Sequence, residues 1–432
     1  TAGNANLNGR ISRHTDRGKA KITHQNGVQS RDHQSGSSES YQATRVQTDQ
    51  FNVNVGGKLN ISGADIQAKN SNILGGNVHL GAEKTVNLRE HSKNQSKGSW
   101  YRNEQESNRV ETTHRTTIAG DSVNIEATKG KVTTEGAKVS AKTTAIYGEQ
   151  GVNLRGAKAT TTQTARAEFK NETARLKTGL SSQDSSVQHY TATELTTKQD
   201  LILGGKGDLY LNGVVANVDG TLLAKNSGSL SFGSERSSES YNLSDDMRFW
   251  GGLAGSKTVG TGRSAETVHG ADITVKGDTT LDASRGVHIS GSRVVTGGNG
   301  VVKGNAGALV IDSTQAKTTA VDYARQGTIF DITKARQSSY THTSTAKGST
   351  LKSESNLQLS TNKNVSIVGS TVQSAGLLDI AAKSGIEVKG AANHVRTESS
   401  KAGFSFAGGF DSLKTSFQHG HLTANLNLDN NK

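Results

Sequence analysis

Apolar and polar residues alternate along this chain in short bursts, and the bursts echo at a fixed distance. Asn356-Leu357-Gln358-Leu359 returns 21 residues later as Leu377-Leu378-Asp379-Ile380, and Asn364-Val365-Ser366-Ile367 returns as Gly385-Ile386-Glu387-Val388. Leu201 to Leu222 and Leu209 to Leu230 repeat the 21-residue step, and Val132 to Val152 takes 20. A period of two within each burst predicts strands with one face inward. A period of about 20 residues between bursts predicts coils that stack on copies of themselves, because one coil cannot bury its apolar face alone. The expected fold is all-β, a right-handed parallel β-helix with hairpin or loop excursions.

The bursts group into five blocks of about two coils, at 51–89, 117–155, 200–232, 267–312 and 350–395. Together they predict a repeat β-helix over 51–395. Residues 1–50 read as a polar lead-in with a partial repeat, and 396–432 as a β-rich C-terminal excursion. Val152 and Ile367 are expected to point inward. The pairs Gly56-Gly57, Gly75-Gly76, Gly204-Gly205 and Gly297-Gly298 are expected at corners with positive φ. Polar segments separate the blocks, and they can be hairpins leaning on the rod, strands that extend its faces, or loose loops. Two of them share a phrase, Ser37-Ser38-Glu39-Ser40-Tyr41 and Ser237-Ser238-Glu239-Ser240-Tyr241, which predicts a larger repeating unit of coil pair plus excursion.

Composition sharpens this picture. The 432 residues include 50 glycines and no proline or cysteine. Proline cannot donate a backbone hydrogen bond, so its absence suits a chain whose N–H groups nearly all serve a ladder. A hydrophobic content of 31% suits a narrow core of Val, Ile and Leu. The net charge of +12 is spread along the chain without a dense basic run, so it reads as a solvated positive surface that permits contact with acidic glycans or cell surfaces. No run of 18 apolar residues offers a membrane-crossing helix. With Thr at position 1, the chain reads as an internal fragment of a longer protein.

Catalytic chemistry is not expected. Gly252-Leu253-Ala254-Gly255-Ser256-Lys257-Thr258 lacks the spacing of a phosphate loop. Gly204-Gly205-Lys206-Gly207-Asp208 has its Asp one residue early for a calcium nonapeptide, and reads as a glycine corner. His419 and His421 lack a third metal ligand. A polysaccharide-cleaving β-helix would need clustered carboxylates, whereas Asp208, Asp282, Asp379 and Glu387 are scattered. No catalytic residue, cofactor or metal is assigned, and no nucleic-acid partner is expected, because aromatics are not interleaved with a basic stripe. The candidates for contact with a partner or membrane are Trp100, Tyr101, Phe249, Trp250, Phe404 and Phe406. For the two tryptophan pairs the bland alternative, that they anchor an excursion against the rod, is the preferred one.

The phrases Gly120-Asp121-Ser122-Val123-Asn124-Ile125 and Gly151-Val152-Asn153-Leu154 resemble filamentous haemagglutinin repeats of the second type, and the resemblance covers most of the chain. Such repeats occur in two-partner-secreted exoproteins of Gram-negative bacteria, among them haemagglutinin adhesins, haemolysin-like proteins and contact-dependent growth inhibition effectors. The resemblance implies export through an outer-membrane transporter, display at the cell surface, and contact with a target cell's surface or outer membrane. It implies a non-catalytic structural role in adhesion or toxin delivery, with binding of acidic glycans as the alternative.

Overall fold

The structure is a computed structural model. It describes residues 3–171, 177–249, 255–328, 333–405, 414–419 and 423–428. The described residues form strands and connecting turns, with no helix.

The chain winds as a parallel β-helix with three faces. On the first face, Ile66, Ile118, Val139, Leu195, Ala216, Ile273, Val294, Leu351 and Val372 stack in one column. On the second, the column runs Val53, Ile73, Ile125, Ile146, Leu203, Ala224, Leu281, Val302, Leu359 and Ile380, one residue from each of ten rungs. On the third, Leu80, Thr134, Leu154, Leu211, Phe232, Ile289, Ile311 and Ile367 lie in register. Alternation does the sorting. Ser122–Ala127 alternates buried Val123, Ile125 and Ala127 with outward Asn124 and Glu126, as a two-residue period requires. Val152 and Ile367 are buried, as expected. The last rung has no neighbour beyond it among the described residues, and there Leu378, Ile386 and Val388 are exposed.

The first-face column exposes the chain's rhythm. Its steps are 21 residues from Ile118 to Val139, 56 to Leu195, then 21, 57, 21, 57 and 21. Short steps turn the corner from the third face to the first on one left-handed glycine: Gly63, Gly136, Gly213, Gly291 and Gly369, with φ of 60, 69, 61, 57 and 55°. The long steps insert a hairpin at that same corner.

The glycine pairs expected at positive φ are not there. Gly56-Gly57, Gly75-Gly76, Gly204-Gly205 and Gly297-Gly298 are absent from the left-handed positions. What they supply is close approach. A β-carbon at Gly76 would lie 2.6 Å from the Gly56 carbonyl oxygen, and at Gly205 2.5 Å from that of Gly148. These corners need the missing side chain and not the unusual dihedral.

Six excursions leave the rod. Hairpin 1 joins Arg10–Gln25 to Val28–Gln42 through Asn26 and Gly27, both at positive φ. Hairpin 2 joins the outer part of Ala64–Lys97, from residue 82, to Trp100–Arg115. Hairpin 3 pairs Ala157–Asn171 with Lys177–Thr191. Hairpin 4 pairs the outer part of Leu230–Phe249 with Gly255–Gly270, and hairpin 5 pairs Thr314–Thr328 with Thr333–Lys347. In the sixth, Ala392–Ser405 pairs with Lys414–His419 and Thr423–Leu428. Neighbouring hairpins then pair with one another, 1 with 2, 2 with 3, and so on to the sixth. The result is a continuous antiparallel sheet standing beside the rod.

Several boundaries therefore differ from the sequence reading. Thr44–Ser62 belongs to the first coil, which therefore begins within the expected lead-in of residues 1–50. Thr85-Val86-Asn87-Leu88, expected as a rod strand, runs in hairpin 2. The sixth excursion begins at Ala392. The cause is shared: alternation continues from rod into hairpin without a break, so the pattern alone carries no boundary signal.

Candidate functional site: the hairpin sheet and its outer ends

Among the described residues the sheet has no second layer. Strands such as Lys177–Thr191 and Thr333–Lys347 consist largely of half-buried and exposed residues, and its few buried side chains, including Ala159, Val268, Thr85, Ser37 and Ser237, cluster near the rod. With hydroxyl and amide side chains on both faces, it is held by its ladder of backbone hydrogen bonds and cross-strand pairs.

At the roots, hairpin and rod are fastened by aromatic stacks. Tyr41 of hairpin 1 stacks on His114 of hairpin 2, with ring centroids 4.0 Å apart and planes 12° from parallel. Tyr190 of hairpin 3 stacks on His269 of hairpin 4 at 4.4 Å and 16°. Each tyrosine hydroxyl donates to a rod corner: Tyr41 to the carbonyl of Gly63, Tyr190 to that of Gly213 at 2.8 Å. Those are two of the left-handed glycines, and a β-carbon on either would collide with the tyrosine. Each imidazole is held from its own hairpin, His114 by the Thr85 hydroxyl at 2.9 Å and His269 by the Ser237 hydroxyl at 2.8 Å. Burial pushes both histidines below their ordinary pKa, with Lys347 and Lys158 adding to the effect at His269. Burial likewise raises both tyrosines. Neutral rings are what this packing favours.

Buried hydroxyls complete the roots. Thr116 donates to the carbonyls of Ile61 and Gly81, and Ser349 to those of Ile289 and Asp312. Arg115 reaches the carbonyls of Gly136 and Ala192 and the Glu194 carboxylate at 2.8 Å. The two hydroxyls add a second donor to the carbonyls of Gly81 and Asp312, which already accept from the backbone N–H groups of Thr116 and Gly291. Sequence reasoning missed these clasps. The available signal was the recurrence of Tyr41, His114, Tyr190 and His269, each three or four residues before a first-face strand begins at Thr44, Thr117, Glu194 or Asp272.

The outer ends have a different chemistry. Trp100 stands opposite Lys97, and Tyr101 opposite Ser96 and Lys170. Arg102 is paired with Phe169, and Lys177 with Phe249. The Lys177 ammonium lies 5.9 Å from the Phe169 ring centroid and 5.6 Å from that of Phe249, within reach of cation–π attraction. Tyr101 donates to the Glu168 carboxylate at 2.9 Å, and Arg248 pairs with Asp246 at 3.1 Å. Trp100 and Tyr101 thus sit at the far end of hairpin 2, about 15 residues and roughly 50 Å of strand from its root. They do not anchor the excursion against the rod, contrary to the preferred expectation. Phe249 joins them through hairpin 3. Phe404 lies in the sixth excursion, opposite Lys334, and is not brought to this group. Trp250 and Phe406 lie outside the described residues, as do Gly252, Leu253 and Ala254 of the loop weighed for nucleotide binding and His421 of the histidine pair.

One face of the sheet carries a shallow open groove near these ends. It is lined by the amides of Asn94, Asn103 and Gln105 with Arg166, Glu168 and Asp246. Among the described residues no group of three or more His, Cys, Asp or Glu converges as a metal site.

The hemagglutinin repeat family matches residues 2–99, 96–247 and 330–432. The chain belongs to the hemagglutinin repeat family. That family is a structural repeat, and the match runs through rod coils and hairpins alike. The chain is similar to a hemolysin of Proteus mirabilis, 27% identical over 291 residues, which is 67% of this chain and 18% of that protein. It is also similar to a hemolysin of Serratia marcescens, 26% identical over 351 residues, 81% of this chain and 22% of that protein. The chain thus spans about a fifth of the length of these relatives. No solved structure matches it. The repeat and the two hemolysins support a secreted exoprotein of the two-partner type as the chain's setting.

Proposed function

We propose that this chain is a non-catalytic structural and delivery segment of a two-partner-secreted exoprotein. It is exported through an outer-membrane transporter, displayed at the bacterial surface, and turned toward a neighbouring cell for adhesion or for toxin translocation. The observation that carries this reading is the division of labour in the fold. A rod with an aliphatic core supports a coreless sheet that reaches about 50 Å outward and ends in aromatic and basic side chains. Such a body presents surface. Its rungs stabilise one another as nearest neighbours, so folding can propagate coil by coil as the chain emerges from a transporter.

The test is an in-frame deletion of the segment from the parent exoprotein in its producing bacterium. Secretion is read from the medium, contact from adhesion to target cells, and delivery from target-cell survival. We expect export to persist while adhesion or delivery fails. Unchanged adhesion and delivery would sink the reading.

The amide-rich groove favours a second reading, in which the sheet binds glycan chains. Retention on a heparin column that collapses with salt would support it.

A further inference from the structure

We infer that one face of hairpins 4 and 5 carries a binding site for an uncharged sugar chain, with Tyr323 as its platform. The inference rests on the second reading, that the sheet binds glycan chains. It moves the site away from the amide-rich groove and fixes the class of sugar.

The ladder builds the site. Residues directly opposite one another in antiparallel strands share a face. Three rows cross from hairpin 4 into hairpin 5 on one face: Ser240, Ser264, Thr319 and His342; Asn242, Gly262, Val321 and Tyr340; Ser244, Gly260, Tyr323 and Ser338. The two glycines leave a trough in the middle strand. A β-carbon at Gly260 would lie 2.2 Å from Cζ of Tyr323, so the phenol ring rests on the glycine backbone. Its hydroxyl donates to that of Ser244 at 3.2 Å. Tyr323 is still 40% exposed, so the ring has one side on the sheet and the other open to water. The result is an open cleft of about 490 Å³, bounded by Asn242, Ser244, Ser264, Thr319, Val321 and Tyr323. A second aromatic continues it. Tyr340, opposite Val321, is the diagonal neighbour of Tyr323, about 7–8 Å away. His342 stacks on Tyr340 with planes 6° from parallel and bonds the Thr319 hydroxyl at 3.1 Å, which fixes the ring's position.

Chemistry selects a sugar. A pyranose presents an apolar C–H face with hydroxyls around its rim, and an aromatic platform ringed by a few polar groups matches it. The Asn242 amide leans over Gly262, its Oδ1 2.8 Å from where a β-carbon would stand, and supplies both donors and an acceptor. Charge selects the class. Arg263 alternates to the opposite face, in a row with Tyr241 and Ala320. Both signs surround the cleft on its own face. Asp246, Arg325 and Arg336 lie toward the outer end, Glu266 and Lys317 toward the root, and Asp184 and Glu398 on the flanking strands. Asp246, Glu266 and Glu398 are paired with Arg248, Arg236 and Arg396. Such a mixture sets up no field that favours an anion, while hydroxyls and an amide suit a neutral chain.

The full 432-residue chain is run by affinity electrophoresis through gels containing a neutral β-glucan, a neutral α-mannan or heparin, and is titrated with a chitin oligosaccharide. We expect a neutral probe to bind, with little dependence on salt. Tyr323→Ala should weaken that binding roughly tenfold, and Asn242→Ala about fivefold. Tyr323→Phe keeps the ring over Gly260 and should stay within about threefold. Tyr241→Ala, on the opposite face, should stay within about twofold. If Tyr323→Ala lowers the melting point, Asn242→Ala decides, because that side chain is exposed. Binding of heparin alone overturns the inference and leaves the glycan reading standing. So does neutral binding that survives both Tyr323→Ala and Asn242→Ala, or that falls equally in Tyr241→Ala. Failure of every probe would end the inference and the glycan reading together.

Discussion

In the rod, every second residue of a strand is typically Val, Ile or Leu, stacked on its counterpart in the next coil. In the hairpin sheet the same alternation carries Ser, Thr and Gln on both faces. Ile125 is fully buried between Ile73 and Ile146, whereas Ser182, just as surely in a strand, sits between Arg166 and Ser244. The rod gains from removing apolar surface from water. The sheet gains little in that way and depends on long, well-registered ladders and on roots fixed to the rod. One local pattern therefore yields two kinds of stability, and the side chain at alternate positions decides which.

The comparison breaks most sharply in the rod. Val152→Asp buries a charge without a partner and should cost on the order of 3–5 kcal/mol, enough to disrupt the neighbouring rungs. Far-ultraviolet circular dichroism should show a lost or lowered melting transition. An unchanged melt would mean Val152 is not in a packed core. Ile125→Ala should follow at about 2–5 kcal/mol.

Two glycines of equal dihedral then separate rod corner from hairpin end. Gly213 at φ 61° lies against the Tyr190 hydroxyl, while Gly98 at φ 62° has nothing within 4 Å of a built β-carbon. Both pay the left-handed cost of about 1–2 kcal/mol on substitution by Ala, but only Gly213→Ala also displaces the clasp. Its melting point should fall further than that of Gly98→Ala, and equal shifts would argue against the tyrosine contact.

The clasps predict a pH dependence confined to the roots. His114 and His269 titrate below the ordinary histidine value. Their stabilising contribution is complete above about pH 6.5 and is lost as pH falls through the lowered values, because protonation must charge a buried ring. Glu83 stands opposite His114 and Glu235 opposite His269. Their negative charge opposes the effect, and burial raises the Glu83 pKa so that its charge also fades in acid. Hydrogen exchange between pH 7 and pH 5 should quicken at the hairpin roots and hardly change in the rod. In a His114→Phe, His269→Phe variant that difference should shrink; if it persists, the histidines are not its source. The smallest effect belongs to the middle of the sheet, where Ser182→Ala should change the stability by no more than about 0.5 kcal/mol, read from the melt.

These contrasts explain what could be read from the sequence. The 21-residue echo is legible because inward positions demand aliphatic residues at every rung. The hairpins are not, because Ser181-Ser182-Gln183-Asp184-Ser185-Ser186 has the composition of a loose linker. Its strand forms between Ala167, on the other arm of the same hairpin, and Asp245, from a segment far away in sequence. The shared Ser-Ser-Glu-Ser-Tyr phrase misleads about register. Tyr41 sits on the return strand of hairpin 1 at its root, while Tyr241 lies well out on the departing strand of hairpin 4. Of the aromatic and basic side chains at the outer ends, Trp100, Tyr101 and Phe249 stand out in the sequence. Phe169 and Lys177 were missed, since cross-strand register, which no local pattern encodes, puts them there.

The corner between the third and first faces has one further property. It accepts either a single left-handed glycine, as at Gly213, or a hairpin such as Ala157–Asn171 with Lys177–Thr191, and the next coil lands in the same register in both cases. Loop closure grows only logarithmically more costly with length. The corner therefore works as a socket: what is plugged into it can be lengthened, exchanged or removed while the thread of the screw keeps its pitch.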